Sequence, residues 1–371
     1  MLNIVPLFHA HQHERLLQFT LFDLLDRTSP FDDKLNRSLI EKMVAEYYIP
    51  AGELLLELAG RYGLAFRFAL MISGSLLELL KRYSPRGIDL FRRIIDSGSA
   101  ELLLAPCYSG LSALYDREEY IAQIEQHRFL LGGEFGVVPA VFFHDGPLGV
   151  GEVAEALENW EHLRVLLIGK PADVRLNHRT PDGRFPLLMC AECDSIDPFF
   201  RKVVNWRAFK SRGGGEENIW MCPVVHLEKM DNRSYSAFRH LVKRITSRED
   251  ARLSFPSAIA CEEIGDSEEY ALPGVEKGRR SVKKGSKTPQ EVLCKGSHFP
   301  KGMSPGELEK DAATALFSLI GDARRKGEKT VLEGLRRLSV DDHFHAMRTG
   351  NENAYLSFLW AVALYELAMT T

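Results

Sequence analysis

Residues 139–156 read PAVFFHDGPLGVGEVAEA. Strand character from Pro139 to Phe143 runs into a polar pair, His144-Asp145, and then into a Gly146-Pro147 turn. A helix is expected to open near Gly151. A buried strand that carries polar side chains into a loop ahead of a helix is the repeating unit of parallel α/β folds, and its C-terminal end is where those folds hold their chemistry.

The same unit recurs on both sides. Upstream, Leu2 to His11 reads as a buried strand, Leu35 to Tyr48 and Glu53 to Arg61 as helices, and Ala65 to Ile72 as a strand leading into a helix from Ser75 to Tyr83. A helix from Ile88 to Ile95, a strand from Ala100 to Leu104 and a helix from Arg117 to Leu131 follow, the last with Tyr120, Ile124 and Leu131 on one face. Downstream, a helix from Glu152 to Asn159 precedes a strand from Leu163 to Ile168. The rhythm loosens from Asn177 to Gly215, then recovers in a strand from Ile219 to His226, a helix from Ser234 to Ile245 and a short strand from Leu253 to Phe255. Strands alternating with helices at this interval predict βα units and a mainly parallel sheet. From Pro305 onward the periodicity is helical.

Composition narrows the function classes. The chain has 371 residues with 45% hydrophobic and 26% charged side chains, a globular balance. Its net charge of −4 supplies no basic excess for a nucleic-acid partner. No apolar run reaches the ~20 residues of a membrane span, and the opening residues lack a secretory pattern. Six scattered cysteines suit a reducing compartment, so a cytoplasmic location is expected.

Several clusters invite chemistry. His9, His11 and His13 alternate at the end of the first strand, so their rings can converge on a metal or a sugar hydroxyl. The spacing favours a hydrogen-bonding pocket, since Glu14 is the only carboxylate nearby in sequence. Cys190 and Cys193 have the spacing of half a zinc site, but without a second pair they read as two free thiols. The run Asp341-Asp342-His343-Phe344-His345 places Asp342 and His345 on one helix face.

Taken in order, these stretches resemble glycoside hydrolase family 57 in its α-amylase branch. HQHERLLQFTLFD (11–23) is similar to that family's HQPYRLRRYTFFD-type opening. FDDKLNRSLIEKMVAEYYIPAGELLLEL (31–58), ISGSLLELL (72–80) and SGSAELLLAPCYSGLSAL (97–114) continue the likeness. FGVVPAVFFHDGPLG (135–149) resembles the FG-x-x-P-x-x-FRNTELIY segment, and LSVDDHFHAM (338–347) the L-x-T-SDHFYYM helix. The resemblance implies an α/β fold: an incomplete (β/α)7 barrel of mainly parallel strands over residues 1–260, and a C-terminal α-helical region over 305–371 packing on the barrel; between them the Gly-, Ser-, Lys- and Arg-rich composition of Glu276 to Lys301 is expected to make 261–304 a mobile basic linker. It also implies an α-glucan context, such as starch or glycogen, and retaining hydrolysis by a Glu nucleophile and an Asp acid/base about 5 Å apart.

At the reacting positions the likeness stops. The nucleophile falls on Gly146, the acid/base on Pro223 and the next carboxylate on Val225. The ETYYHS loop reads Ala105-Pro-Cys-Tyr-Ser-Gly110 and keeps only Tyr108. The opening keeps His11 and Gln12, and the late helix keeps Asp342, His343, Phe344 and Met347. This pattern predicts a pseudoenzyme: a non-catalytic α-amylase-like homologue acting in carbohydrate metabolism as a binding or regulatory protein. The ligand-binding set is expected to be His11, Gln12, Tyr108, His144, Asp145, Trp220, His226, Asp342 and His343, with Trp206, Trp220, Tyr108 and Phe344 as candidates for stacking on sugar rings. No metal or cofactor is expected. The partner is an α-glucan or maltooligosaccharide, with neither nucleic acid nor membrane.

Two alternatives stand beside it. Asp145, His226 and Glu228 can replace the missing groups in an active hydrolase. A metal on His9, His11, His144 and Asp145 can support deacetylation, since HDGP is similar to the DDGP strand end of polysaccharide deacetylases; the HxxxH such enzymes need is absent. A protein-interaction module using the helices and the basic loop is the remaining class.

Overall fold

The computed structural model describes residues 1–18, 29–108, 110–145, 150–169, 179–180, 182–192, 219–261, 307–348 and 352–370. Gly146, Cys193, Trp206 and the basic segment 262–306 lie outside the described residues.

The chain opens with β1 (Leu2–Ile4) and β2 (Leu7–Ala10). Sequence reading predicts one strand here, and the structure divides it. Both pieces pair in parallel with the long strand β8 (Ile219–His226), Ile4 opposite Met221 and Leu7 opposite Val224. The offset is the same on both sides, so Pro6 lies opposite Pro223. Neither residue has an N–H, so the ladder is interrupted there. Beyond the break β1 turns to β9 (Ala251–Leu253), while β2 joins β3 (Phe68–Ile72).

Seven strands form the barrel wall in the order β4 (Ala100–Leu102), β3, β2, β8, β7 (Leu187–Glu192), β6 (Val165–Gly169), β5 (Val141–His144). Every neighbouring pair is parallel. Leu104 N donates to Val141 O at 2.9 Å and Phe143 N to Leu104 O at 2.7 Å, which brings the two ends of the sheet together. The result is a nearly closed seven-stranded barrel, as the resemblance implies. Strand β7 falls inside the stretch where the sequence rhythm loosens. Its LLMC run lacks the polar-apolar alternation of a half-exposed strand because both of its faces are covered.

Alternation divides each strand between two cores. Leu7, Met71, Val141, Phe143, Cys222 and Val224 point into the barrel. Phe8, Ile72 and Val225 point outward against the surrounding helices. Those helices are α1 (Asp33–Met43), α2 (Ile49–Tyr62), α3 (Gly74–Tyr83), α4 (Pro85–Asp96), α5 (Ser112–Tyr115), α6 (Arg117–Phe135), α7 (Val150–Ala156) and α8 (Asn232–Thr246). Their starts carry the expected caps: Asp32, Ser73, Asp116 and Asp231 each accept a hydrogen bond from a first-turn N–H.

After the undescribed basic segment come α9 (Glu307–Lys326), α10 (Lys329–Leu338), α11 (Asp341–Arg348) and α12 (Glu352–Ala368). They surround a second core, which includes Leu316, Ile320, Leu335, Phe344 and Phe358 and extends onto the barrel through Phe31 and Leu111. This packing sets α11, and with it Asp342, over the C-terminal end of β2.

Candidate functional site at the barrel mouth

The C-terminal ends of parallel strands form the barrel mouth, and alternation decides which side chains reach it. On β2 the inward residue Leu7 is followed by His9, whose ring lies 6.1 Å from that of the inward Phe143, and then by His11. On β8 the inward series Cys222 and Val224 ends in His226, with Glu228 just beyond. On β5 the inward series Val141 and Phe143 leads to the exposed Asp145.

Alternation also corrects three expectations from sequence. Pro223 lies on the outward series with Val225, so the mouth-directed residue at the end of β8 is His226, and the linear match to Pro223 picks the wrong face. His144 is outward and buried, 3.0 Å from the Tyr120 hydroxyl of α6, and does not reach the mouth. Trp220 packs against the barrel interior six residues before His226, which at ~3.3 Å per residue is roughly 20 Å from the mouth.

Two further candidates serve packing. Phe344 is fully buried with its ring 5.1 Å from that of Phe358, so it forms core and cannot stack on a sugar. Tyr108 is buried; its hydroxyl donates to Glu78 at 2.8 Å and accepts from Gln126 at 3.0 Å. Gln12 is half-buried, and its backbone carbonyl accepts from Ser75 Oγ at 2.8 Å.

The residues the mouth does bring together form an imidazole–carboxylate cluster. His11 Nε2 meets Asp342 Oδ2 at 2.8 Å, and His11 Nδ1 meets Ser73 Oγ at 2.8 Å. His13 Nδ1 lies 3.4 Å from Asp342 Oδ1. The His9 ring is 5.2 Å from that of His226, whose Nδ1 is 3.5 Å from Glu228 Oε1. His343 is buried with its ring 5.2 Å from His13. The donor atoms of His11, His13 and Asp342 all lie within 4.8 Å of one another, the arrangement among the described residues that suits a metal ion.

The charges are unequal. Burial opposes a proton on His11, but the hydrogen bond to Asp342 and the negative charges of Asp342, Glu228 and Asp145 outweigh it and hold its pKa above the usual range. Burial, followed by the neighbouring His11 and His226, pushes His9 well below that range. Burial also lowers His13 to about 2 and His343 to about 4. Asp342 is partly desolvated, yet its bond to His11 keeps it well below an ordinary carboxyl. The mouth thus holds ionised Asp342 against His11, flanked by neutral imidazoles that can accept hydrogen bonds or ligate.

Residues 7–160 match the model for Glycosyl hydrolase family 57, the segment that builds β2 to β5 and supplies His9, His11 and Asp145. Over that segment, less than half of the chain, the sequence is similar to glycosyl hydrolase family 57. A 112-residue stretch is 33% identical to a curated protein of Methanocaldococcus jannaschii named "Putative alpha-amylase". That stretch is 30% of this chain and about a quarter (24%) of the relative.

Among solved structures, this chain shares its fold with the GH57-type branching enzyme of Pyrococcus horikoshii. The TM-score is 0.63 at 12% identity, covering 96% of this chain and 88% of that one. It also matches the 4-alpha-glucanotransferase of Thermococcus litoralis, with a TM-score of 0.60 at 14% identity. Coverage there is 92% of this chain but 56% of the other, so the chain spans about half that enzyme's length. The alpha-amylase AmyC of Thermotoga maritima aligns with a TM-score of 0.55 at 10% identity, covering 98% and 97%. Among the described residues no helix is long and apolar enough to cross a membrane.

Proposed function

We propose that this chain is a non-catalytic, glucan-binding member of family 57, with the mouth cluster as its saccharide site. The observation that carries the reading is His226. Double displacement needs a carboxyl group at each of two facing positions, and the mouth-directed end of β8 holds an imidazole there. Gly146, matched by sequence to the nucleophile, has no side chain to form a glycosyl ester. His9, His11, Asp145, His226, Glu228 and Asp342 still present donors and acceptors suited to sugar hydroxyls. Sequence similarity to a protein named as an alpha-amylase, and a fold shared with glucan-acting enzymes, support an α-glucan as the ligand class.

The test is calorimetric titration with maltoheptaose beside a reducing-sugar assay on amylose. Binding without product is expected, and His226→Ala or Asp145→Asn should weaken it by about 1–2 kcal/mol, the scale of hydrogen bonds to charged groups. Absence of binding to any α-glucan would sink the reading.

One observation favours a second reading. Asp145 and Glu228 both act electrostatically on His11, so two carboxylates face the same mouth. Hydrolysis through this displaced pair would appear as reducing sugar released by the wild type and lost in both Asp145→Asn and Glu228→Gln.

A further inference from the structure

We infer that His11, His13 and Asp342 form a binding site for one divalent transition-metal ion of the zinc class at the barrel mouth. Two imidazoles and one carboxylate are the donor set of three-ligand zinc sites, which leave the fourth tetrahedral corner to water. His11 and His13, two residues apart, hold their rings nearly parallel with centroids 6.4 Å apart. Asp342 comes down between them from the first turn of α11.

The donor atoms lie within 4.8 Å of one another, the two imidazoles meeting different oxygens of Asp342, so they must draw in by up to about 1.5 Å to close on such an ion. Tetrahedral donors at ~2.0–2.1 Å from a metal lie roughly 3.3–3.4 Å from one another. His13 Nδ1 and Asp342 Oδ1 are already 3.4 Å apart. His11 Nε2 and Asp342 Oδ2, at 2.8 Å, share a proton, and that contact must widen by about 0.5 Å when an ion replaces the proton. The outer partners are also in place. His11 Nδ1–H donates to Ser73 Oγ at 2.8 Å, which fixes the ring and leaves Nε2 to the metal. Ser73 is itself held as the cap of α3 and lies 3.2 Å from Ser75 Oγ. The side chains of His11 and Asp342 keep 22% and 41% exposure, so an ion can enter from solvent.

His13 sets a second condition. The Arg15 guanidinium lies against His13 Nε2, and by donating there it keeps the ring proton on Nδ1, facing Asp342. Ligation through Nδ1 moves that proton to Nε2 and turns Arg15 toward the His13 carbonyl, which it already reaches at 3.3 Å. Arg15 is therefore a built-in competitor of the ion.

The test uses the full-length protein, stripped by a chelator and titrated with Co2+ in the absence of sugar, so it stands or falls separately from glucan binding. One equivalent of Co2+ is expected to give the visible absorption of a tetrahedral site, and Zn2+ should displace it. His13→Ala and Asp342→Asn should each weaken binding by about 10–100-fold or more. Arg15→Ala should tighten it several-fold. Absence of the visible band, or a band of undiminished affinity in Asp342→Asn, would overturn the site; that variant is nearly isosteric and decides the matter if His13→Ala does not fold. Weaker binding in Arg15→Ala would overturn Nδ1 as the His13 donor.

Discussion

His127 shows what one side chain can contribute away from the mouth. It lies fully buried on the inner face of α6, where Nε2–H donates to Ile72 O at 2.8 Å and Nδ1 accepts from Ala105 N at 3.1 Å. One neutral imidazole thus joins the ends of β3 and β4 to the helix outside them. Burial lowers its pKa to about 4, and the carbonyl oxygens of Ile72, 2.8 Å from Nε2, and Ala105, 3.0 Å from Nδ1, only partly oppose the shift. Because the folded value is depressed, the unfolded chain takes up the proton first as the pH falls. The contribution is complete above about pH 6.5 and is lost between there and about pH 4, amounting to roughly 3 kcal/mol. Denaturant unfolding of the wild type at about pH 7 and about pH 4.5 should show this loss, and His127→Gln should flatten that part of the pH slope. An unchanged slope in the variant would refute the assignment.

At the scale of elements, the junction of β3 and α3 positions the site. Ser73 caps α3 and holds His11, and Gly74 behind it packs so closely on the Cys107 backbone that a Cβ there would lie 2.7 Å from the Cys107 carbonyl oxygen. The obstacle is backbone and cannot rotate away. Gly74→Ala is expected to destabilise the fold by about 1–3 kcal/mol, as overpacking does, measured by equilibrium denaturation; a neutral result would show that the junction yields. The βα rhythm of this region was legible because each strand is short, apolar and followed by a capping Ser or Asp. The break in the first strand was less so. Pro6 interrupts the ladder because it faces Pro223, more than two hundred residues away, and only the register of β8 reveals that pairing. For the same reason a linear match settled on Pro223 for a reacting group. The match counted residues, whereas the mouth selects every second one.

At the scale of the molecule, the helices after residue 306 are tied to the barrel by buried ion pairs as well as by the second core. Arg336 on α10 binds Glu119 in two contacts of 2.7 and 2.9 Å, and Glu119 is fully buried. Arg337 and Arg82 both contact Glu14, whose side chain is 6% exposed. Removing Arg336 leaves the buried Glu119 carboxylate with the more distant Arg324 at 3.5 Å and Gln123 at 3.1 Å, so Arg336→Met should cost about 2–3 kcal/mol. Hydrogen exchange should then quicken in α10 and α11 while β2 and β8 stay protected. Uniform exchange across the barrel would show instead that the helices and the barrel unfold as one unit.

Sequence by itself determined the βα alternation, the family resemblance and the histidine run 9–13, because periodicity, caps and local motifs are properties of neighbouring residues. It also brought Asp342 and Asp145 forward as candidates, through the family pattern. Tertiary structure alone decided which candidates meet. His11 and Asp342 are 331 residues apart in sequence and 2.8 Å apart in space. His144 and Trp220 leave the site because of the face and the end of the barrel they occupy. Cys190, which reads with Cys193 as a local pair, has its sulfur 3.4 Å from Cys222 on the adjacent strand. The physical reason is the same throughout: strand pairing and closure of the barrel set distances that spacing along the chain does not contain.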